Sequence, residues 1–407
     1  MEKDVTTATT GLDYAGGKIG RLFSKMFFPT LLGLIFNALI TIVDGIFVGQ
    51  GVGPDGIAAV NIIAPLFMVV TGTGLMFGIG TSVVAGIAIA RGDGRRASVN
   101  MTQVCVLSLV FITALTLSLW LWREGTARML GSSDALMPGA IDYLTWLIPG
   151  MFFLIFECIG MMVIRLDGSP KFAMFCNIIP AVINIVLDWY LVFPCGLGVK
   201  GAALATSLSI AVGAVMVLVY FLRFSYVIKF RWSSAGFFAN TWRQICIGSS
   251  AFITEIAMSV MMLTGNHVFM KYYGDTGVAA FSIACYLFPL MFMMSNAVAQ
   301  SAQPIISYNY GAKRADRVKE AYFLLLKIDV GFSFALWVLV MAFPRAFAAM
   351  FTSDAALIAY TGNALRIYLM AILIFGIQMA CQMAFTSLGK AVSSIIVCLL
   401  YTSDAAD

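Results

Sequence analysis

The chain has 407 residues, 61% of them hydrophobic and only 11% charged, with a formal net charge of +5 and a mean hydropathy of +0.93. Soluble proteins carry roughly a quarter of their residues as charges, so an ordinary globular enzyme is excluded and an all-α integral membrane protein is indicated. Eight cysteines without paired metal-ligand spacing and a single histidine, His267, argue against a His/Cys metal site and for buried free thiols.

The first 24 residues are polar and Gly-rich and lack a signal-peptide pattern. About 20 apolar residues cross a bilayer as a helix. On that basis ten complete spans are predicted, at 25–48, 57–89, 98–122, 138–163, 172–194, 201–222, 245–270, 277–307, 319–343 and 357–386, and an eleventh opens near 391. The second and eighth exceed the bilayer thickness and should tilt or run on into the cytoplasm. Segment 223–244, basic and aromatic, is read as a linker along the cytoplasmic interface.

Cytoplasmic loops retain Lys and Arg. A cytoplasmic N-terminus puts about 18 of the 25 basic residues inside, among them Lys18, Arg21, Arg91, Arg95, Arg96, Arg223 and Arg317. The positive charge is therefore a topological signal, and no basic stripe argues for nucleic acid.

The chain also repeats itself. "DGIAAVNI" (55–62) recurs as "TGVAAFSI" (276–283), "RGDGRRA" (91–97) as "YGAKRAD" (310–316), and "MLGSSDA" (129–135) as "MFTSDA" (350–355). An offset of about 220 residues, constant over several anchors, marks an internal duplication. The expected organisation is two homologous six-helix lobes in the same orientation. The N-lobe is residues 1–222, the linker 223–244, and the C-lobe 245–397 with helices 7–10 and the start of the eleventh. The second copy of residues 178–222 is missing. Residues 398–407, "CLLYTSDAAD", are polar and acidic where a span should continue, and are expected to be non-native.

Ionisable groups at membrane depth are costly and therefore candidates for function. Asp44 follows Asn37 and Thr41 at i−7 and i−3, on one helix face. Asn184 and Asp188 are an i, i+4 pair, and the small residues of "GVKGAALATSLS" (198–209) let the next helix, with Thr206, approach closely. Two carboxylates in low dielectric repel and are relieved by a proton or a cation. Asp44, Asn184, Asp188 and Thr206 are thus the expected cation-coupling site, with structural hydrogen bonding between helices as the alternative. Asn37, Thr41, Asn61, Glu157, Glu255, Gln300 and Gln303 are candidates for a substrate pathway. Asp329 is expected to pair with Lys327, and His267 to hydrogen-bond at the outer end of its span.

Several stretches together resemble the multidrug and toxic compound extrusion (MATE) transporters. They are "VDGIFVGQGVGPDGIAAVNIIAP" in the first two spans, "IRLDGSPKFAM" after the fourth, "INIVLDW" followed by "GVKGAALAT", "TE" in the seventh, and "AQSAQPIISYNYGAKR" after the eighth. The resemblance implies a twelve-helix fold of two lobes, here with the eleventh helix incomplete and the twelfth missing. It implies a multi-pass protein of the cell inner membrane, expected as a monomer. The implied activity is export of organic cations or amphiphilic drugs in exchange for H+ or Na+, with no cofactor; sequence does not choose between the two ions. The resemblance also implies that Asp44, Asn184 and Asp188 hold the coupling ion, Na+ included. Glu255 matches a C-lobe site of some relatives, but the tenth span has no acid to accompany it. A lipid-linked oligosaccharide flippase is the alternative within transport; it should show deep basic residues, and none is evident in the N-lobe spans. A polytopic membrane enzyme should show clustered Asp for metal and pyrophosphate, and no such cluster exists.

Overall fold

A computed structural model describes the backbone of residues 11–349 and 355–404, and their side chains except at 54, 262–263, 265–267, 269–270, 273–290, 357 and 400–404. His267, much of the predicted eighth span and residues 405–407 of the tail therefore lie outside the described residues. Among the described residues the chain is helical. The long helices are α1 (Ile19–Gly51), α2 (Pro54–Ala90), α3 (Gly94–Leu121), α5 (Met137–Leu166), α6 (Pro170–Val192), α7 (Val199–Val219), α8 (Phe237–Gly311) and α9 (Ala315–Ala342). Shorter helices α4 (Arg123–Met129) and α10 (Pro344–Ala349) follow α3 and α9, and α11 (Ala355–Tyr368), α12 (Ile372–Ser387) and α13 (Ala391–Asp404) complete the order. Eight helices among the described residues are long and apolar enough to cross a membrane, or nine if α11 and α12 are one bent span.

Local chemistry sets the helix ends. Prolines open α2 and α6, where a missing N–H costs nothing. Asp93 caps α3 by accepting the Arg96 N–H at 2.8 Å. Gly92 ends the α2 region at φ 79°, and Lys313 adopts φ 59° at the corresponding point after α8.

The predicted spans match the long helices with three differences. The predicted tenth span is broken at residues 369–371 into α11 and α12, which meet at 40°. The short helices α4 and α10 were not anticipated. The seventh and eighth spans form one continuous helical run, α8, yet that run doubles back. A Cβ on Gly80 of α2 would collide with the Gln244 carbonyl, while Ser82 bonds Gln303 at 3.0 Å. About 60 residues of straight helix would separate Gln244 from Gln303 by about 90 Å. The chain therefore reverses between two limbs. The first runs antiparallel to α2, from Gln244 beside Gly80 to Ser259 bonded to Met68. The second runs parallel to α2, from Gln303 beside Ser82 to Gly311 beside Ile87.

Helix bounds recur at one spacing: α2 and α8 end at Ala90 and Gly311, α3 and α9 begin at Gly94 and Ala315, α5 and α12 end at Leu166 and Ser387, and α6 and α13 begin at Pro170 and Ala391. Ser82 and Gln303, which touch, stand 221 residues apart, as do the neighbouring pairs Gly86 with Ser307 and Ala90 with Gly311. Residues related by a twofold can meet only near its axis, so a pseudo-twofold runs along the seam between α2 and the second limb of α8. α13 continues through Asp404, seven residues past 397, and Cys398 is buried with its thiol 3.2 Å from Thr254 Oγ1. Of the seven described cysteines, none of them in a disulfide, Cys176 and Cys398 are buried and Cys195 is exposed.

Candidate functional site

Glycines bring α1, α6 and α7 together. A Cβ on Gly33 of α1 would lie 2.9 Å from the Asn177 amide of α6, and one on Gly201 of α7 would lie 3.0 Å from the Leu191 backbone. Side chains from these helices therefore share one interior. Asp188 and Asn184 lie one turn apart on α6 and are 0% and 1% exposed. The Asn184 amide reaches Thr206 Oγ1 of α7 at 3.5 Å, at the limit of a hydrogen bond. Asp44, half-buried on α1, is an electrostatic neighbour of Asp188. Tyr143 of α5, 6% exposed, lies within the field of both acids.

Both Asp188 oxygens, one Asp44 oxygen and the Asn184 carbonyl oxygen are buried without a hydrogen-bond partner among the described residues. A buried acceptor without a donor is costly. Four such oxygens from two helices form an acceptor-rich cluster suited to a proton or a hard monovalent cation.

Other candidates are placed differently. Asn37, Thr41 and Asn61 are exposed, and Thr41 bonds back to the Asn37 carbonyl at 3.4 Å. Glu157 is buried against Gly213 of α7, where a Cβ would collide with its carboxylate. Glu255 and Gln300 line a cavity of only about 30 Å3 with Thr254, Asn296 and Gln382, far below the roughly 300 Å3 of a drug-sized site. Gln303 is packed in the seam between Ser82 and Ser307.

The expected Asp329–Lys327 pair does not form. Residues two apart on a helix do not face each other, so Lys327 is exposed while Asp329 is fully buried and accepts the Ser295 hydroxyl at 2.6 Å. Asp329 is thus a deep acid in the second half, which sequence reasoning did not credit. One buried basic residue stands just past the end of the predicted fourth span, 138–163. Arg165, in the last turn of α5, is 2% exposed and donates to Gln300 Oε1 at 2.6 Å, with no carboxylate partner among the described residues. Its place at the end of an apolar run, in "MMVIRLDG", gives it the look of a cytoplasmic flank. Tyr143 was passed over because a lone aromatic in an apolar helix reads as packing.

Beyond Arg165 the seam is sealed by residues 11–17. The Tyr14 hydroxyl donates to the Arg165 carbonyl at 2.9 Å, and its ring lies 5.4 Å from Tyr308. Arg317 donates to the Tyr14 and Gly17 carbonyls at 3.1 and 2.6 Å and to Asn309 at 2.9 Å. Asp167 anchors the linker, accepting the Tyr220 hydroxyl and the N–H groups of Tyr226, Val227 and Ile228 at 2.7–3.2 Å. Burial raises its carboxyl above the ordinary range, opposed by those hydrogen bonds.

The MatE family model matches residues 29–190 and again residues 250–402. The chain belongs to the MatE family. Membership makes it a multi-pass membrane transporter, not an enzyme, and the second match passes residue 397, where the native sequence was expected to end. Among curated MatE-like relatives, a FAD transporter of Shewanella oneidensis is 25% identical over 93% of this chain and 84% of its own length. A multidrug export protein MepA of Staphylococcus saprophyticus is 27% identical over 86% of this chain and 77% of its own. Among solved structures, MATE in complex with MaD3S superposes with a TM-score of 0.88 at 25% identity, covering 97% of this chain and 88% of that one. An outward-facing multidrug resistance MATE transporter also gives 0.88, at 26% identity and the same coverage. The MATE fold is therefore shown for this chain.

Proposed function

We propose that this MatE protein is a secondary antiporter that exports organic cations or amphiphilic drugs in exchange for H+ or Na+. The observation that carries the reading is the set of buried oxygens of Asp44, Asn184 and Asp188 without a hydrogen-bond partner among the described residues, with Thr206 within reach of the Asn184 amide. A cation or proton there relieves the repulsion between the acids, and exchange requires only that ion and cargo favour different conformations. The relatives named as multidrug exporters support the substrate class.

The finer organisation is part of the same proposal. Two homologous lobes, with the linker at 223–244, are supported by the common spacing of helix bounds and by the two starts of the family match, at 29 and 250. A cytoplasmic N-terminus is supported by the Lys and Arg distribution. The sealed seam at Tyr14 then lies on the cytoplasmic side.

The test is efflux of a fluorescent organic cation from vesicles holding the chain, driven by an imposed proton or sodium gradient. Loss of gradient-driven flux in Asp188→Asn supports the reading, and wild-type flux in that variant ends it. A second reading, an anionic cargo, is favoured by Arg165, buried without an acid, and by the relative named as a FAD transporter. It covers the flippase alternative, whose cargo also carries an anionic headgroup. Inhibition of the cation flux by FAD at micromolar concentration would support it.

A further inference from the structure

At the same face as the sealed seam, but apart from the proposed coupling site, α2, α3 and α8 border an open cavity of about 210 Å3 whose three arginines are exposed. It is lined by Arg91, Arg96, Arg243, Asn100, Asn240 and Asp93. None of the three guanidinium groups forms an ion pair or donates a side-chain hydrogen bond among the described residues. Asp93, the one acid, is engaged in capping α3. Asn100 is 1% exposed, and its side-chain carbonyl oxygen has no hydrogen-bond partner among the described residues.

The internal repeat indicates what chemistry this cavity is shaped for. Arg96 corresponds to Arg317 at the 221-residue spacing, and the turns before them share the positive φ of Gly92 and Lys313. In the second half the Arg317 guanidinium donates to three oxygens: the carbonyls of Tyr14 and Gly17 and the side chain of Asn309. In the first half Ala88 stands where Asn309 does, no oxygen accepts from the Arg96 guanidinium among the described residues, and that guanidinium lines the cavity.

We propose that this cavity binds a phosphate group, held by the guanidinium groups of Arg91, Arg96 and Arg243. Arginine forks match the geometry of phosphate oxygens, and basic pockets between helices at a membrane face take lipid headgroups. The phosphate comes either from an anionic phospholipid or from a soluble phosphate compound. Trp242 and Phe238 are 66% and 83% exposed on the first turns of α8 and are of the aromatic type that favours the membrane interface.

The experiment uses the purified full chain, the variant R91Q/R96Q/R243Q and a charge-matched control, R21Q/R95Q/R223Q, whose residues lie outside the cavity. Binding of phosphatidylglycerol against phosphatidylcholine is read by native mass spectrometry, and binding of inorganic phosphate and glycerol phosphate by calorimetry. At about fivefold per basic residue, the cavity variant is expected to bind about 100-fold more weakly and the control within threefold of wild type. Retention of phosphatidylglycerol alone identifies a headgroup site, and saturation by glycerol phosphate a soluble one. Equal binding by the cavity variant, equal loss in the control, or no binding of any probe by wild type overturns the proposal. Should the triple variant not fold, Arg243→Gln alone is expected to lose about fivefold, and unchanged binding counts equally against it.

Discussion

The Ser82 hydroxyl donates to Gln303 Oε1 at 3.0 Å, and the two residues are each other's counterparts in the duplicated sequence, 221 positions apart. This hydrogen bond therefore lies on the pseudo-twofold between α2 and the second limb of α8. If transport requires the halves to part at that seam, a disulfide between Ser82→Cys and Gln303→Cys, in a background without the native cysteines, should abolish flux on oxidation and restore it on reduction. Full flux in the cross-linked protein would show that the seam stays closed throughout the cycle.

Thr206→Val removes the only acceptor of the Asn184 amide among the described residues. One net hydrogen bond is worth about 0.5–1.5 kcal/mol, so the coupling-ion concentration for half-maximal flux should rise roughly two- to twelvefold. An unchanged ion dependence would remove Thr206 from the site.

Glu157 is packed against Gly213, which predicts opposite outcomes for two substitutions. Gly213→Val should destabilise the detergent-solubilised protein by about 1–3 kcal/mol through overpacking, seen as a lower melting temperature. Glu157→Gln keeps the shape and should leave drug flux within about twofold of wild type. Abolished flux in a stable Glu157→Gln protein would instead place this carboxyl in the transport pathway.

Asp167 holds the segment after α7 through the N–H groups of Tyr226, Val227 and Ile228. Asp167→Ala leaves those donors without their acceptor, and trypsin should then cut at Lys229 and Arg231 at least tenfold faster, as followed by gel. An unchanged cleavage rate would mean that the remaining contacts of this segment suffice.

Most helices were legible in the sequence because long apolar runs alternate with Gly, Pro and charged punctuation, as at "GVGPDG" before α2 and "RGDGRR" before α3. The break between α11 and α12 was not, because Leu369, Met370 and Ala371 carry no such punctuation. The four residues proposed for coupling stood out in the sequence because Asp44 and Asp188 are acids in apolar helices, with Asn184 one turn from Asp188 and Thr206 on the next helix. Arg165 and Tyr143 were not: one stands at the hydropathic edge of a span, and the other has a polar atom that only its neighbours make relevant. Lys327 and Asp329 were paired on proximity along the chain, whereas helical periodicity sends them to opposite faces.

Counting the same interval forward from Asp44 leads to Gly265, which has no side chain to ionise. The duplicated frame is thus electrically lopsided: its two halves share a backbone plan, but only one carries this carboxylate. A coupling ion bound at Asp44 and Asp188 would load a single half. Had both halves carried the same acids, occupancy could fill both equally and bias neither against the other. Under the proposed coupling, unequal loading of a near-symmetric scaffold would give ion binding a direction.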